Sequence, residues 1–221
     1  MAAIPVKIDF VSDVSCPWCV IGLKSLEEAL QRVSGEVTAE VHFQPFELNP
    51  QMPAGGQDVG EHVAQKYGST PEQIERNREA MRERGAALGF TFQMDKRTRI
   101  YNTFDAHRLL HWAEGEGRQL ALKHALFDAY FTQGRDPSDH EVLVDVAGKV
   151  GLDTQRARQI LASVDYSKEV REQEQFYLKH GIHAVPSVII NDRLLIQGGQ
   201  PVEIFEQALR KVAEEKPTRA A

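Results

Sequence analysis

The sequence is poor in the features that mark secreted, membrane and nucleic-acid-binding proteins. It has two cysteines in 221 residues, and no stretch approaches the roughly 18 consecutive apolar residues of a membrane span. Acidic residues (32) outnumber basic ones (26), for a formal net charge of −6. Because this balance offers no basic surface for phosphates, we expect no nucleic acid as partner. Because no apolar run is long enough to span a bilayer, we expect no membrane as partner either. Lys7 and Asp9 lie where a signal peptide needs an apolar run, so we expect a cytoplasmic protein.

The two cysteines, Cys16 and Cys19, are neighbours in the segment Ser-Cys-Pro-Trp-Cys. A disulfide between them would close a loop too short to constrain much of the unfolded chain, so it would add little stability. The disulfide framework of a small secreted protein is therefore excluded. Redox chemistry or a metal site is left as the reason for the pair.

Periodicity predicts a compact βαβ unit at the start of the chain. Apolar residues alternate over 4–11, recur at helical spacing from Cys16 to about 34–35, and alternate again over 37–46. The stretch 50–60 is rich in glycine and proline and is interpreted as turn and linker.

A helical block of about a hundred residues follows. Capping boxes are predicted at Thr70–Gln73 and Ser138–Glu141, Asp153 is predicted to cap a third helix, and 104–114 and 120–131 have helical periodicity.

Strands return at 188–190 and 194–196, joined by a turn at 191–192, and Pro201 opens a final helix. The fold class is α/β, a small sheet covered by helices, with a helical domain inserted into it. The sheet domain is assigned to 1–50 and 165–214, the inserted domain to 51–164, and a frayed tail to 215–221.

The position of the cysteine pair favours an exposed redox centre. Cys16 lies between strand and helix, where the N–H groups at the helix start favour a thiolate, and Pro17 suits the first helical turn. Cys19 follows after nearly one turn, so both sulfurs share one face. Trp18 is interpreted as a rim for substrate rather than as core.

A zinc site is the alternative from the same cysteines. His107 and His111 have a ligand-like spacing and would complete a set of four with Cys16 and Cys19. However, there is no second cysteine pair, and the histidines are far along the chain. We therefore predict no bound metal. The two histidines are interpreted as one face of an amphipathic helix, and lining of a substrate cleft is the alternative.

A second redox signal is His183-Ala184-Val185-Pro186-Ser187, which leads directly into the late strand. A trans proline there would forfeit a hydrogen bond of the sheet. The segment resembles the cis-proline loop of thioredoxin-fold proteins, in which the residue before the proline, here Val185, offers its backbone to substrate.

These residues resemble the thioredoxin-like DsbA family, and within it the cytoplasmic FrnE-like branch. The resemblance covers nearly the whole chain and rests on six segments: 12–19 (Ser-Asp-Val-Ser-Cys-Pro-Trp-Cys), 46–50 (Phe-Glu-Leu-Asn-Pro), 102–109 (Asn-Thr-Phe-Asp-Ala-His-Arg-Leu), 129–131 (Ala-Tyr-Phe), 181–187 (Gly-Ile-His-Ala-Val-Pro-Ser) and 198–201 (Gly-Gly-Gln-Pro).

The resemblance implies a protein dithiol–disulfide oxidoreductase with a thioredoxin fold and an α-helical insertion. Cys16 would be the attacking cysteine, Cys19 the resolving cysteine and Pro186 the cis-proline. No cofactor is implied beyond the redox-active disulfide. The implied partners are thiols and disulfides, chiefly of proteins, with glutathione left open as a redox partner.

The same superfamily includes 2-hydroxychromene-2-carboxylate isomerases and kappa-class glutathione transferases, which offer an alternative function. They usually have serine where this chain has Cys16, and an Asp-Arg pair near Gln200-Pro201. Both departures favour dithiol chemistry. Asn102 and His107 match the insertion motif and would contact substrate in the groove, or else cap a helix and pack in the core.

The group that moves the proton of Cys19 is left open by the sequence. Asp13 and Lys24 are near in sequence, and both are expected to be solvated charges.

Overall fold

Four strands from the two ends of the sequence form one mixed sheet in the computed structural model, which describes residues 3–214. In chain order the strands are β1 (Ile4–Ser12), β2 (Val37–Pro45), β3 (Gln57–Asp58), β4 (Arg99–Ile100), β5 (Ser187–Ile190) and β6 (Leu194–Gln197). The main sheet has the order β2-β1-β5-β6, with β1 parallel to β2 and antiparallel to β5. In its register, Ile8 lies between Val41 and Ile190. This is the predicted α/β arrangement.

Helices cover this sheet and fill the middle of the chain. They are α1 (Pro17–Arg32), α2 (Val59–Tyr67), α3 (Pro71–Ala87), α4 (Phe104–Gly115), α5 (Gln119–Phe127), α6 (His140–Lys149), α7 (Thr154–Ala162), α8 (Ser167–Lys179) and α9 (Val202–Glu214). A π-helical turn, Asp128–Thr132, continues α5. None of the helices between residues 3 and 214 is both long enough and apolar enough to cross a bilayer. The tail assigned to 215–221 lies outside the described residues.

Three local structures predicted from the sequence, two helix caps and a hairpin turn, are present in the structure. The Thr70 side chain accepts from the Gln73 N–H, and the Gln73 side chain accepts from the Thr70 N–H, which confirms the first capping box. Asp153 caps α7. The hairpin turn is also confirmed, because Asn191 and Asp192 have φ of 51° and 55°, values that asparagine and aspartate tolerate better than most residues.

Two predictions about local structure are wrong. The stretch 50–60 is not all linker, because its last residues form β3, paired with β4, and the start of α2. The second capping box is absent. Asp139 caps α6 by accepting from two backbone N–H groups, whereas the hydroxyl of Ser138 donates to Asp136. Asp139, one residue nearer the helix, takes the N-cap position that the pattern assigned to Ser138.

The cap of α6 gives a test of this correction. Asp139→Ala is expected to lower the free energy of unfolding by about 1 kcal/mol, because two N–H groups lose their acceptor. Ser138→Ala is the matched control and should cost less, since the cap remains. Urea unfolding of both variants measures the difference. A larger loss in Ser138→Ala would restore the capping box.

Two apolar cores meet at the loop between β1 and α1. One core lies on the main sheet and includes Phe10, Cys16 and Cys19, and the other lies among α4–α7 and includes Val14. The loop is therefore anchored in both cores, by Val14 in one and by Cys16, two residues later, in the other. Phe131, from the stretch assigned to the inserted domain, packs in the sheet core. The division of the chain at 51 and 164 stays a prediction.

Candidate active site

Cys16 and Cys19 lie at the start of α1. Cys16 is the N-cap residue, with an extended backbone (φ −91°, ψ 113°), and Pro17 occupies the first helical turn. The N–H of Cys19 donates to the carbonyl of Cys16 at 3.1 Å. This turn brings the two side chains together, as their spacing predicts.

The two thiols have different surroundings, although both are free thiols and both are largely buried. Cys19 is 0% exposed and Cys16 3%. Burial raises the pKa of Cys19 well above its ordinary value, and a hydrogen bond to Cys16 raises it further. Cys19 therefore holds its proton, and only Cys16 borders the groove described below.

The loop before β5 supplies the third part of the site. The Val185–Pro186 peptide bond is cis, and the Cys16 Sγ lies 3.7 Å from the carbonyl oxygen of Val185. Helix α1 approaches this loop closely at Gly22, where a Cβ atom would lie 2.9 Å from the Pro186 ring. The loop thus places one backbone carbonyl, that of Val185, beside the Cys16 sulfur.

A groove of about 390 Å³ opens beside Cys16. Pro17, Trp18 and Val185 line it on the sheet side. Their contact with substrate stays a prediction. Helices α2 and α3 and the chain before β4 supply the opposite wall, whose polar and larger residues are His62, Tyr67, Asn77, Arg78, Met81 and Arg97. Within the described residues no carboxylate lines this groove. The groove has room for a small thiol or disulfide, or for an extended segment of a polypeptide. Its lining suits apolar or negatively charged groups on such a molecule.

Trp18 is held at the edge of the groove by a cation. The Arg84 guanidinium lies 5.1 Å from the centre of the indole ring and donates to the carbonyl of Gly199 at 2.8 Å. The tryptophan is partly buried and also lines a second, more open cavity. Its position at the rim agrees with the prediction, whereas contact with substrate stays a prediction.

Asp13 is not a solvated charge, so that prediction is wrong. Its carboxylate is 0% exposed and accepts from the N–H groups of Ser15 at 3.0 Å and Leu48 at 2.7 Å. The Nε2 of His107 lies 3.8 Å away. Burial alone would raise the pKa of Asp13, but His107 and the two N–H groups hold it below its ordinary value. Lys24, in contrast, is part-exposed and pairs with Glu27 at 3.1 Å.

The remaining predicted site residues lie outside the groove. Asn102 accepts from the N–H of Phe104 and donates to Glu47, and so supports the start of α4. His107 is 2% exposed, with its Nε2 3.2 Å from the carbonyl of Phe46. The structure therefore places His107 beside Asp13 and Asn102 beside Glu47. Substrate binding by these two residues stays a prediction.

The four proposed metal ligands are not brought together. The ring of His111 lies against that of Tyr166, with ring centres 5.3 Å apart and planes tilted by 52°. Among residues 3–214, no three His, Cys, Asp or Glu side chains are arranged to share a metal ion.

Lys123 is a buried group that the sequence reasoning missed. It lies on α5, is 0% exposed, and its charge acts on both cysteines. A signal was present, because residues 119, 122, 123, 126 and 127 form the buried stripe of this helix, with Lys123 between Leu122 and Leu126. A lysine in an apolar stripe indicates one of two things. Either its long side chain extends to solvent, or its buried charge has a function.

Comparison with known proteins identifies the family to which this fold belongs. A family model described as a DSBA-like thioredoxin domain matches residues 7–210. A probable DsbA oxidoreductase from Streptomyces coelicolor has 33% sequence identity and a TM-score of 0.90, with 98% of this chain and 94% of that chain covered. These matches confirm the predicted thioredoxin fold.

Two solved structures share the fold at lower identity. The first is a 2-hydroxychromene-2-carboxylate isomerase, with 14% identity, a TM-score of 0.71 and coverage of 97% and 100% of the two chains. The second is a cytosolic disulfide reductase from Pseudomonas aeruginosa, solved with glutathione, with 16% identity, a TM-score of 0.66 and coverage of 95% and 100%.

Proposed function

The chain belongs to the DSBA-like thioredoxin family, and on that premise we propose that it is a thiol–disulfide oxidoreductase that works through Cys16 and Cys19. The observation that carries the proposal is the position of the Cys16 sulfur. It lies at the start of α1, 3.7 Å from the Val185 carbonyl, at the edge of a groove. Cys19 lies buried behind it.

The reaction on a substrate disulfide has two exchanges. The Cys16 thiolate attacks one substrate sulfur, the substrate S–S bond breaks, and the departing thiolate takes a proton from water. Cys19 then loses its proton and attacks the Cys16 sulfur. The second substrate thiolate leaves, and the Cys16–Cys19 disulfide forms. The substrate gains two electrons, which the cysteine pair loses, and the reverse sequence oxidises a dithiol.

The groove and the loop give the substrate its place. We propose that Val185 offers its backbone to the substrate chain beside the cis-proline, while Pro17 and Trp18 contact the groups next to the sulfur. Thiols and disulfides of proteins are the proposed substrates. Glutathione is proposed as a redox partner, in keeping with the fold neighbour solved with it.

The proposed compartment is the cytoplasm, whose reducing thiol pool keeps the cysteine pair reduced and so able to attack disulfides. In that setting the net reaction is reduction or isomerisation of disulfides.

Oxidised glutathione tests the dithiol mechanism. Wild type is expected to end as the internal Cys16–Cys19 disulfide, because Cys19 resolves the adduct formed on Cys16. In Cys19→Ser the adduct should persist, visible by intact-mass spectrometry as the mass of one glutathionyl group. Cys16→Ser is the control and should form no such adduct at the site. A stable adduct on wild type, together with isomerase turnover by Cys19→Ser, would move the function to the glutathione-dependent isomerases.

A further inference from the structure

Arg97 brings a positive charge without a negative partner to the groove beside Cys16. It lines the groove, and its guanidinium donates to the carbonyl of Ser15, the residue before Cys16, at 3.4 Å. Its other contacts are the ring faces of Tyr130 and Phe131, each with the ring centre 5.2 Å from the guanidinium carbon. The Nε is buried and has no hydrogen-bond partner among the described residues. These contacts replace only part of the hydration that a guanidinium loses on burial.

The fold holds this guanidinium in place. The two rings belong to the π-helical turn Asp128–Thr132, and this turn is bonded to the loop on both sides of the arginine. The N–H of Gln93 donates to the carbonyl of Phe131 at 2.9 Å, and the hydroxyl of Tyr130 donates to the carbonyl of Arg99 at 2.8 Å. A cation that is fixed in this way loses little freedom when an anion binds to it.

The rest of the groove adds charge of the same sign. Arg78, on α3, also lines it, and its ion pair with Glu75 is long, at 3.7 Å. Burial lowers the pKa of His62, another lining residue, and the charges of Lys66 and Arg97 lower it further. In the part of the chain that the structure describes, no aspartate or glutamate lines the groove to offset these cations. The groove therefore attracts anions.

We propose that Arg97 binds a carboxylate next to the reacting disulfide, so that the preferred substrates are disulfides of cysteines with an acidic neighbour. This substrate class rests on the proposed function. A carboxylate matches the paired N–H groups of a guanidinium, and beside buried rings their attraction is stronger than in bulk water. A polypeptide with glutamate or aspartate next to cysteine carries such a group, and so does oxidised glutathione. Arg97 is thus a specificity-determining residue and takes no part in the exchange of bonds.

The test measures how fast Cys16 forms a mixed disulfide in Cys19→Ser, where the adduct cannot be resolved. Acid quench and intact mass follow the adduct. The substrates are the symmetrical disulfides of blocked peptides with glutamate or glutamine directly before or after cysteine, and oxidised glutathione. With Arg97 present, a glutamate peptide should react about tenfold faster than its glutamine counterpart. High salt should reduce this preference.

Substitution of the arginine shows whether it causes the preference. In Arg97→Gln the rates with the glutamate peptide and with oxidised glutathione should fall about tenfold, and the rate with the glutamine peptide should change far less. Arg97→Lys keeps the charge without the paired N–H groups and should retain part of the preference. Arg76→Gln, at an exposed arginine of α3 that does not line the groove, is the matched control with unchanged rates.

The outcomes separate this assignment from the proposed function. A loss with the glutamate peptides supports an acidic polypeptide as the substrate, and a loss confined to oxidised glutathione supports a small disulfide. Unchanged rates in Arg97→Gln with every disulfide would overturn the assignment. An equal loss with glutamate and glutamine peptides would also overturn it, because Arg97 would then act on the Cys16 thiolate and not on substrate. Absence of an adduct on Cys16 with every disulfide would contradict the proposed function itself, and the assignment with it.

Discussion

Cys16→Ser is expected to lose turnover in the reduction of insulin disulfides by dithiothreitol. A serine hydroxyl does not attack a disulfide and cannot form a mixed disulfide with substrate. The first step of the cycle is therefore missing. The expected loss is roughly 10³-fold or more, in the range that follows removal of a covalent nucleophile. The precipitation of reduced insulin measures it.

The control for this loss is stability. Cys16 is 3% exposed and serine is close to it in size, so the thermal midpoint of Cys16→Ser should stay within a few degrees of wild type. Cys19→Ser should also lose turnover while it still forms the adduct on Cys16. Full insulin reduction by Cys16→Ser would remove the cysteine pair from the mechanism.

Asp13→Ala is expected to have a large effect on stability. The substitution leaves the buried N–H of Ser15 and the part-buried N–H of Leu48 without their acceptor. With each unpaired group costing about 1–3 kcal/mol, the free energy of unfolding should fall by about 2–6 kcal/mol. Urea unfolding at neutral pH measures the loss. Asp13→Asn keeps one acceptor oxygen and should lose less. An unchanged midpoint in Asp13→Ala would show that the carboxylate does not hold this loop.

The same carboxylate gives stability a defined pH dependence. Its pKa is lower in the folded protein than in the unfolded chain. The stability that it contributes is therefore present above the unfolded pKa of about 4 and is lost as pH falls through the lower folded value. The difference in the free energy of unfolding between wild type and Asp13→Asn should become smaller over that acidic range. A constant gap down to low pH would contradict the direction of the pKa shift.

The parts of the fold that the sequence predicted are those set by local patterns. Alternation over 4–11 predicted β1, and the turn residues Asn191 and Asp192 predicted the hairpin of β5 and β6. The capping box at Thr70 and the placement of Cys16 before α1 were also readable, since each depends on residues within one helical turn. The resemblance to the DsbA family extended these local signals to the whole chain.

The surroundings of Asp13 could not be predicted in this way. Besides the N–H of Ser15, its partners are Leu48, 35 residues along the chain, and His107, in the middle of the helical block. A carboxylate with no basic side chain next to it in sequence is expected to be solvated, and only the packing of α4 behind the loop shows otherwise. Lys123 is different, because its place in an apolar stripe was visible. Its neighbours Phe43 and Cys19 come from elements far away in sequence.

Gly22 has opposite effects on two features of the fold. It weakens helix α1, but it leaves room for the cis-proline loop beside the helix. Glycine in a helix interior is less favourable than alanine by about 1 kcal/mol, so alanine at this position would strengthen α1 taken by itself. Its methyl group would meet the Pro186 ring at 2.9 Å, and the loop would have to move away. The Val185 carbonyl would shift with it, and its 3.7 Å distance from the Cys16 sulfur would change. At this one residue, selection for a more stable protein and selection for a faster one would favour different amino acids.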